Sequence, residues 1–215
     1  MKIIQPSVTL VNAPSRDALY KQIELAGRVC YKSEENISEG SAEKFIRGII
    51  KRGHEAVIEH GSITVKFVCD RGVSHEIVRH RLASYCQEST RYCNYSQDKF
   101  GNEITVIQPA WLERPDDSVT EATDWDVWEY SCEQAEQYYF DLLRRGHTPQ
   151  EARAVLPNSL KTEIMVTMNP REWRHFFKLR CSSAAHPDIR YLALLAQDMF
   201  VENWPALFED LVHVD

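Results

Sequence analysis

Hydrophobic side chains recur every three or four residues in several segments of the chain, which is the spacing of an amphipathic helix. Leu19, Ile23 and Ala26, for example, share one face of a predicted helix over residues 15–29. A second helix is predicted after Ser41. The same spacing predicts further helices over 73–84, over 118–145 and from Pro187, the last of the chain.

The predicted helix over 118–145 carries a continuous stripe of aromatic and apolar residues. Its members are Trp128, Cys132, Ala135, Tyr139 and Leu142. Apolar stripes on helices usually face a protein core. We therefore expect this stripe in the core or in a subunit interface rather than in a cofactor site.

Four other segments alternate between apolar and polar positions, which is typical of half-buried strands. They cover residues 8–11, 63–69, 104–107 and 164–168. Because helices and strands mix without a regular βαβ alternation, the α+β class is predicted. No linker rich in proline, glycine or serine interrupts the pattern, so we expect residues 1–215 to form a single domain. A polar loop is predicted from the helix over 73–84 to Asn102.

Two helix starts are marked by their local sequence. Thr148 and Asn169 can each cap a helix, and each is followed directly by a proline, which suits the first helical position. A glutamate occupies the third helical position in both cases, as Glu151 and Glu172. Helices are therefore predicted to begin after Thr148 and after Asn169.

Composition is that of an ordinary globular protein, because 43% of the 215 residues are hydrophobic and 27% are charged. Neither a signal peptide nor the roughly 18 consecutive apolar residues of a membrane span occurs, so we expect a cytoplasmic protein without a membrane partner. The six cysteines include no Cys-x-x-Cys pair, and free thiols are expected. A formal net charge of −7 argues against nucleic-acid binding, so an anionic ligand requires a local basic cluster.

A cluster of this kind occurs at residues 79–81, an Arg-His-Arg tripeptide inside the predicted helix over 73–84. Successive helical residues point about 100° apart, so the two arginines would diverge and could serve two ligands. Residues 89–91, a serine, a threonine and an arginine, follow in the predicted loop. Two hydroxyls, consecutive N–H groups and a guanidinium suit a phosphate monoester.

The stretch over 79–92 resembles the defining motif of the flavin-dependent thymidylate synthases, the ThyX family: Arg-His-Arg, seven residues, Ser89, and onward to Arg91-Tyr92. Other blocks of the resemblance follow in order along the chain, at Gly53-His54-Glu55, Glu59-His60, 151–157, Asn169-Pro170-Arg171 and Leu179-Arg180. The resemblance implies an α+β domain with a mixed or antiparallel sheet flanked by helices, in a homotetramer whose sites are shared between subunits. It also implies methylation of dUMP to dTMP with FAD as cofactor, 5,10-methylenetetrahydrofolate as carbon donor and NADPH as reductant.

The resemblance further assigns residues to ligands. Those implied to contact FAD are Ala56, Arg79, His80, Arg81, Gln87, Asn169, Arg171 and His175, with His54 near the flavin and folate. Those implied to bind dUMP are Glu76, Arg79, Gln87, Glu88, Ser89, Thr90, Arg91, Arg153 and Arg180. No metal ligand is implied. The chain departs from residues common in the family at Cys86, Gln87 and Ala184.

Arg180 is the predicted catalytic residue. Methylation at C5 of uracil requires electron density at that carbon, which increases when negative charge on N3 and the carbonyl oxygens is stabilised. A guanidinium stays protonated at any working pH and presents planar donors, so it suits this task. The eight glycines form no Gly-x-Gly fingerprint, so FAD would be held by arginine and histidine side chains and by the helix after Asn169.

Three other interpretations remain open. A metal-dependent hydrolase could use clustered residues such as His54, Glu55 and His60, although the six-residue interval between the two histidines differs from that of a helical zinc pair. A thiolate at Cys86 would indicate a methyltransferase with a cysteine nucleophile. A non-enzymatic nucleotide-binding module would bind dUMP without a flavin.

Overall fold

The computed structural model describes residues 1–11, 13–116, 118–119 and 121–212. The α-helices within these ranges are α1 (Arg16–Val29), α2 (Ser41–Lys51), α3 (Arg71–Ile77), α4 (Asp124–Arg144), α5 (Pro149–Ala152), α6 (Pro170–Arg180), α7 (Pro187–Asn203) and α8 (Pro205–Phe208). The strands are β1 (Lys2–Ile4), β2 (Ser7–Val11), β3 (Ile63–Asp70), β4 (Ala83–Gln87), β5 (Thr105–Ile107) and β6 (Lys161–Met168). Helices and strands are interspersed, which confirms the α+β class. None of the described helices combines the length and the apolar character needed to cross a bilayer.

The strands belong to two sheets. β1 and β5 pair in parallel, with Lys2 opposite Thr105, and the other sheet has the strand order β2-β3-β6-β4. An isolated antiparallel bridge joins Val106 to Leu160, so both kinds of pairing occur, as expected. β1 was not predicted, because a strand of three residues is too short to show a clear alternation.

The chain divides into two compact units. Unit 1 comprises Met1–Ser7, Val68–Ile77 and Cys86–Ile164, and unit 2 comprises Val8–Phe67, Val78–Tyr85 and Met165–Asp215. The strands β3, β4 and β6 each contribute residues to both units. The residues expected to carry function are therefore distributed over two packing units.

The core of unit 1 is built around α4. Its buried members are Tyr95, Ile104, Val106, Cys132, Tyr139, Ala152 and Leu160. Trp128 and Leu142, from the same predicted stripe, are partly buried and pack against this cluster. Most of the stripe therefore faces the core, which confirms the first of the two expected locations.

The core of unit 2 is an aromatic cluster formed by α6, the segments that follow it and Phe67 of β3. The aromatic residues with at most 1% exposure in this cluster are Phe67, Trp173, Phe176, Phe177, Phe200, Trp204 and Phe208. Trp173 also donates from its indole nitrogen to the backbone oxygen of Ile63, over 3.0 Å. Buried aromatic side chains of this size each contribute about 3–5 kcal/mol when judged by truncation to alanine. α6 is thus held rigidly by its buried face.

The two predicted helix starts are confirmed. Thr148 and Glu151 form a capping box at the start of α5. At the start of α6, the Asn169 side chain accepts a hydrogen bond from the backbone N–H of Glu172 over 2.8 Å, and Pro170 occupies the first helical position. The cap defines where α6 begins and hence which of its residues face the core.

The predicted helix over 73–84 is wrong in its second half. α3 ends at Ile77, and the last residues of the predicted span already belong to β4, which also replaces the start of the predicted polar loop. Val78 and Leu82 continue the helical spacing but are 39% and 68% exposed, so their burial does not stabilise a longer helix. Instead, the Tyr85 hydroxyl donates to the backbone oxygen of His80, which fixes a non-helical path.

Two other helix boundaries differ from the predictions. α4 begins at Asp124 rather than near residue 118, because Thr123 and Asp126 form a capping box there. Within the predicted start of this helix, Thr120 lies outside the described residues. α7 begins at Pro187 as predicted, but it is followed by the short helix α8.

Candidate functional site

One face of α6 carries the charged and aromatic groups that meet His80. Glu172, Phe176 and Arg180 are spaced four residues apart, so their side chains lie along one side of the helix. Arg180 is the last residue of α6. The helix therefore presents Arg180 from a rigid base.

His80 is the buried centre of this arrangement, since its side chain is only 3% exposed. Its Nε2 atom accepts a hydrogen bond from Nε of Arg180 over 3.2 Å. Its ring packs against Phe176 with a centroid distance of 5.0 Å and edge-on against His175 at 5.6 Å. The structure thus brings together three of the predicted site residues, His80, His175 and Arg180.

The surroundings of His80 keep its imidazole neutral. Burial, together with the positive charge of Arg180 and the influence of His175, lowers the pKa of His80 to about 4. A neutral imidazole has one N–H donor and one bare nitrogen, which acts as an acceptor. His80 can therefore accept from the Arg180 guanidinium near neutral pH.

His80, Glu172 and His175 also form a cluster of the kind that can hold a metal ion. One ligand atom from each residue lies within 4.8 Å of the others. The Arg180 guanidinium already donates to the same His80 ring, and its positive charge opposes a second cation there. His54 and His60, the pair considered as zinc ligands, are not part of this cluster.

A cavity of about 360 Å³ in unit 2 contains several residues predicted to bind FAD. We call it the mixed-charge cavity, and it is lined by Glu55, Glu59, Leu82, Asn169, Arg171, Glu172, His175 and Lys178. Arg171 donates to Glu59 over 2.5 Å and lies 3.6 Å from Glu55, so its charge is already compensated. These two carboxylates raise the pKa of Arg171, with the hydrogen bond that Arg171 donates to Glu59 as the main cause.

The other predicted FAD contacts of unit 2 lie on its surface. Arg79 and Arg81 are exposed on either side of the buried His80, in the non-helical segment before β4. The prediction that they diverge from a helix is therefore wrong. Ala56 lies in the 3-10 turn Glu55–Glu59, which His54 precedes, and both are exposed.

Unit 1 has a cavity of about 340 Å³ with a different composition. We call it the basic cavity, and it is lined by Arg71, His75, Thr90, Arg153, Ala154, Leu156, Pro157, Asn158 and Leu160. Arg153 donates to the hydroxyl of Thr90 over 3.1 Å, so two residues predicted to bind dUMP meet here. No carboxylate is found among the described residues that line this cavity.

The predicted phosphate loop follows β4 directly. The Ser89 hydroxyl accepts from the backbone N–H of Arg91 over 3.3 Å, which folds the loop on itself. The Arg91 guanidinium is exposed and lies 5.4 Å from the ring centroid of Tyr92. Thr90 is buried at 7% exposure. The loop therefore combines one anchored residue with one exposed cation.

Gln87 supports this loop from the end of β4. Its side-chain amide donates to the hydroxyls of Ser74, over 2.9 Å, and Thr162, over 3.2 Å. Arg71 donates to the same Thr162 hydroxyl over 3.4 Å and to the backbone oxygen of Glu88 over 3.3 Å. The amide N–H groups of Gln87 are thus turned into the protein.

The two predicted glutamates of unit 1 lie outside the basic cavity. Glu88 accepts from Lys161 over 3.0 Å and lines a separate cavity of about 340 Å³ together with Lys2 and Lys99. Glu76 lies on α3 and is partly exposed. Neither carboxylate is among the residues that line the basic cavity.

Three residues in these arrangements, Glu172, Arg71 and Thr162, were not expected from the sequence to belong to a functional site. Glu172 was recognised only for its position at a helix start. Arg71 and Thr162 carried no signal, because a single arginine after a strand and a single threonine within one are common. Their relation to Gln87 depends on the pairing of distant segments, which local spacing does not show.

The chain matches known proteins over most of its length. A family model described as "Thymidylate synthase complementing protein" matches residues 13–206. The chain is 35% identical over 195 residues to the flavin-dependent thymidylate synthase of Geobacter sulfurreducens, a match that covers 87% of this chain and 80% of the relative. It is 36% identical over 200 residues to that of Mycobacterium tuberculosis, covering 87% and 78%.

A solved structure shows the same fold. The UMP/dUMP methylase PolB from Streptomyces cacaoi, bound with 5-Br dUMP, has a TM-score of 0.76 and 26% sequence identity. The match covers 97% of this chain and 96% of the other.

Proposed function

Because the chain belongs to the thymidylate synthase complementing protein family, we propose that it methylates dUMP to dTMP with the help of a flavin. The names of its relatives and the dUMP analogue in the similar structure support this reaction. The observation that carries the proposal is Arg180, a guanidinium fixed at the end of α6 by a buried, neutral histidine. A cation held in this manner would stabilise negative charge that develops on the uracil ring.

The phosphate of dUMP would bind in unit 1. The basic cavity offers Arg71 and Arg153 without a carboxylate among its described lining residues, and Thr90 adds a hydroxyl. The adjacent loop adds Ser89 and Arg91. A dianion is held best by several charge-assisted hydrogen bonds. The remaining dUMP contacts in the proposal are Glu76, Arg79, Gln87, Glu88 and Arg180.

Arg180 would act on the uracil ring. Its planar donors can bind N3 and an adjacent carbonyl oxygen, where negative charge develops as C5 becomes nucleophilic. Because the guanidinium is oriented before the substrate arrives, little reorganisation is needed during the reaction. Arg180 is therefore the proposed catalytic residue.

The residues of the mixed-charge cavity fit part of a bound FAD. Asn169 and Arg171 lie at the N-terminus of α6, where backbone N–H groups favour a phosphate, and His175 offers a flat polar ring. A phosphate that binds Arg171 would have to displace Glu59. The further contacts in the proposal are Ala56, Arg79, His80, Arg81 and Gln87, with His54 near the flavin and folate. Once reduced by NADPH, the bound flavin would supply a hydride, and 5,10-methylenetetrahydrofolate would supply the carbon.

Subunit assembly would complete the flavin site. A cavity of about 360 Å³ is at the lower end of the usual range for small-molecule pockets, about 300–1,000 Å³, and does not enclose a dinucleotide. We therefore include a homotetramer with shared sites in the proposal, each subunit forming a single domain. Four chains of 25.0 kDa would have a mass of about 100 kDa.

The absorption spectrum of the purified protein tests the proposed function. We expect a flavin spectrum, bleaching by NADPH without oxygen, and dTMP only when dUMP, methylenetetrahydrofolate and NADPH are all present. Chromatography should identify the released flavin as FAD, and light scattering should give the mass of a tetramer. A colourless protein that takes up no FAD, or one with stoichiometric metal and no dTMP formation, would refute the proposal.

A further inference from the structure

The His80 imidazole lies between a guanidinium and a carboxyl group. On one side its Nε2 atom is 3.2 Å from Nε of Arg180. On the other side its Nδ1 atom is 3.4 Å from an oxygen of Glu172. His80 is 3% exposed and Glu172 is 7% exposed, so water has little access to either contact.

The contact with Arg180 determines which His80 nitrogen carries the proton. A guanidinium N–H can only donate, so Nε2 of His80 must be the bare acceptor. The single proton of the neutral imidazole is then on Nδ1, which faces Glu172. At 3.4 Å this contact is longer than a normal N–H···O hydrogen bond, and Nδ1 has no closer partner among the described residues.

We propose that Glu172 and His80 are positioning residues that orient the Arg180 guanidinium for the reaction. The inference rests on the proposed role of Arg180 in dTMP formation. Glu172 favours the tautomer of His80 that has a proton on Nδ1, and this tautomer leaves Nε2 free to hold Nε of Arg180. Metal-binding histidines are oriented in the same way, because their second ring nitrogen donates a hydrogen bond to a carboxylate.

A neutral partner suits this task better than a carboxylate. A carboxylate at the same place would bind Arg180 more strongly but would cancel the charge that the uracil ring needs. His80 engages Nε and leaves the planar fork of the two terminal nitrogens to other partners. The guanidinium is thus restrained without losing its charge to His80.

The arrangement also explains the cluster of possible metal ligands. In the inferred tautomer Nε2 accepts from Arg180 and Nδ1 carries a proton, so neither nitrogen of His80 has a lone pair for a metal ion. Metal binding would require the Arg180 contact to break. The cluster of His80, Glu172 and His175 is therefore a positioning arrangement and not a metal site.

Two replacements of His80 separate its two contacts. His80→Gln can place a carbonyl oxygen near the position of Nε2 and so keep an acceptor for Arg180. His80→Asn, which is shorter, can reach only the Nδ1 position and loses that acceptor. We expect His80→Asn to lower kcat for dTMP formation roughly 10- to 100-fold, as misplaced catalytic groups do, and His80→Gln to lose clearly less. Because His80 is also a proposed FAD contact, FAD content and its reduction by NADPH are measured in both variants, and kcat is compared per FAD-loaded protein.

Equal losses in the two His80 variants, or a loss only in KM for dUMP, would overturn the positioning role. Glu172→Gln tests the weaker contact, and we expect a smaller loss in kcat than in His80→Asn. If His80→Asn fails to bind FAD, comparison of His80→Gln with the parent protein decides instead. Gln must then keep at least a tenth of the parent kcat, because it keeps the acceptor.

Nitrogen NMR of protein labelled with 15N-histidine measures the tautomer independently of activity. The signals that vanish in His80→Gln belong to His80, and we expect a neutral ring at pH 7 with its proton on Nδ1. A proton on Nε2, or stoichiometric zinc that the parent binds and His80→Asn loses, would overturn the inference. A parent protein that makes no dTMP would instead refute the proposed function, while the NMR result would still report on the contact.

Discussion

The basic cavity of unit 1 and the mixed-charge cavity of unit 2 have similar volumes, about 340 and 360 Å³, but differ in how their cations are paired. In the basic cavity Arg153 donates to a neutral hydroxyl, that of Thr90. In the mixed-charge cavity Arg171 donates to a carboxylate, that of Glu59. An anion can therefore bind Arg153 without displacing another anion, whereas at Arg171 it must compete with Glu59.

This difference shows that the number of arginines in a motif does not measure the attraction for a phosphate. What matters is whether each positive charge is already compensated. The Nε atom of Arg180 likewise donates to a neutral partner, the imidazole of His80. The comparison predicts that replacing these arginines has large and specific effects on dUMP chemistry.

The largest effect is expected for Arg180→Lys, which preserves the positive charge but removes the planar fork. dTMP formation should fall roughly 100-fold or more, the scale seen when one preorganised donor to a developing charge is removed. FAD content and anaerobic reduction by NADPH should be retained, because they do not depend on the uracil ring. Both assays are made on one sample.

Either of two results would change the assignment of Arg180. A parallel fall in flavin reduction and dTMP formation would assign Arg180 to the flavin. No fall in either would make it structural, and the activating role would pass to Arg153.

A smaller effect is expected for Arg91→Ala in the exposed loop of unit 1. dUMP binding should weaken by about 1.5–3 kcal/mol, the typical contribution of a hydrogen bond to a charged group. Deoxyuridine, which lacks the phosphate, should bind the variant and the parent almost equally. Calorimetry with both ligands measures the difference.

Arg145→Ala is the matched control for Arg91→Ala. Arg145 is an exposed arginine of unit 1 at the C-terminal end of α4, and its removal changes the net charge by the same amount. It should leave dUMP binding unchanged. Equal weakening in both variants would indicate a general electrostatic effect, and equal weakening for dUMP and deoxyuridine would place Arg91 away from the phosphate.

Local signals in the sequence predicted much of the fold. The caps at Thr148 and Asn169 and the alternation in β3 and β6 depend only on neighbouring residues, and all are confirmed. The helix over 73–84 failed because Val78 and Leu82 have helical spacing but are exposed. The path of the chain between α3 and β4 is determined instead by burial of the His80 side chain. This burial depends on contacts with α6, which is distant in sequence.

The candidate site was predictable only in part, for the same reason. The motif around residues 79–92 indicated which residue types belong to the site, and the structure brings His80 together with Arg180 and Thr90 with Arg153. The role of Glu172 could not be inferred, because a glutamate at the third position of a helix is expected whether it only helps to cap the helix or also contacts a buried histidine. The contacts of Gln87 with Ser74 and Thr162 join three separate segments.

Thr162 tests whether these buried contacts support the loop of unit 1. Thr162→Val removes the hydroxyl at nearly constant volume and should lower the free energy of unfolding by about 1 kcal/mol. The loss is modest because Gln87 keeps the Ser74 hydroxyl and Arg71 keeps the Glu88 carbonyl. Thr162→Ser retains the hydroxyl and is the control. Urea denaturation gives the free energy of unfolding of the parent protein and of both variants. If Thr162→Val is as stable as the parent, the hydroxyl does not contribute to stability.

The smallest effect is expected for Cys86→Ser. Cys86 is a free, exposed cysteine on β4, next to Gln87, and successive strand residues point to opposite faces. Gln87 faces Ser74 and Thr162, so the Cys86 thiol points away from that network. Arg180 and the flavin account for the proposed chemistry without a thiolate nucleophile.

The variant should therefore retain dTMP formation within about two-fold, because exposed substitutions usually change stability by no more than about 0.5 kcal/mol. The measurement is kcat with all three substrates saturating. A variant that binds FAD and dUMP normally but forms no dTMP would assign a nucleophilic role to the thiol and replace the flavin-hydride interpretation.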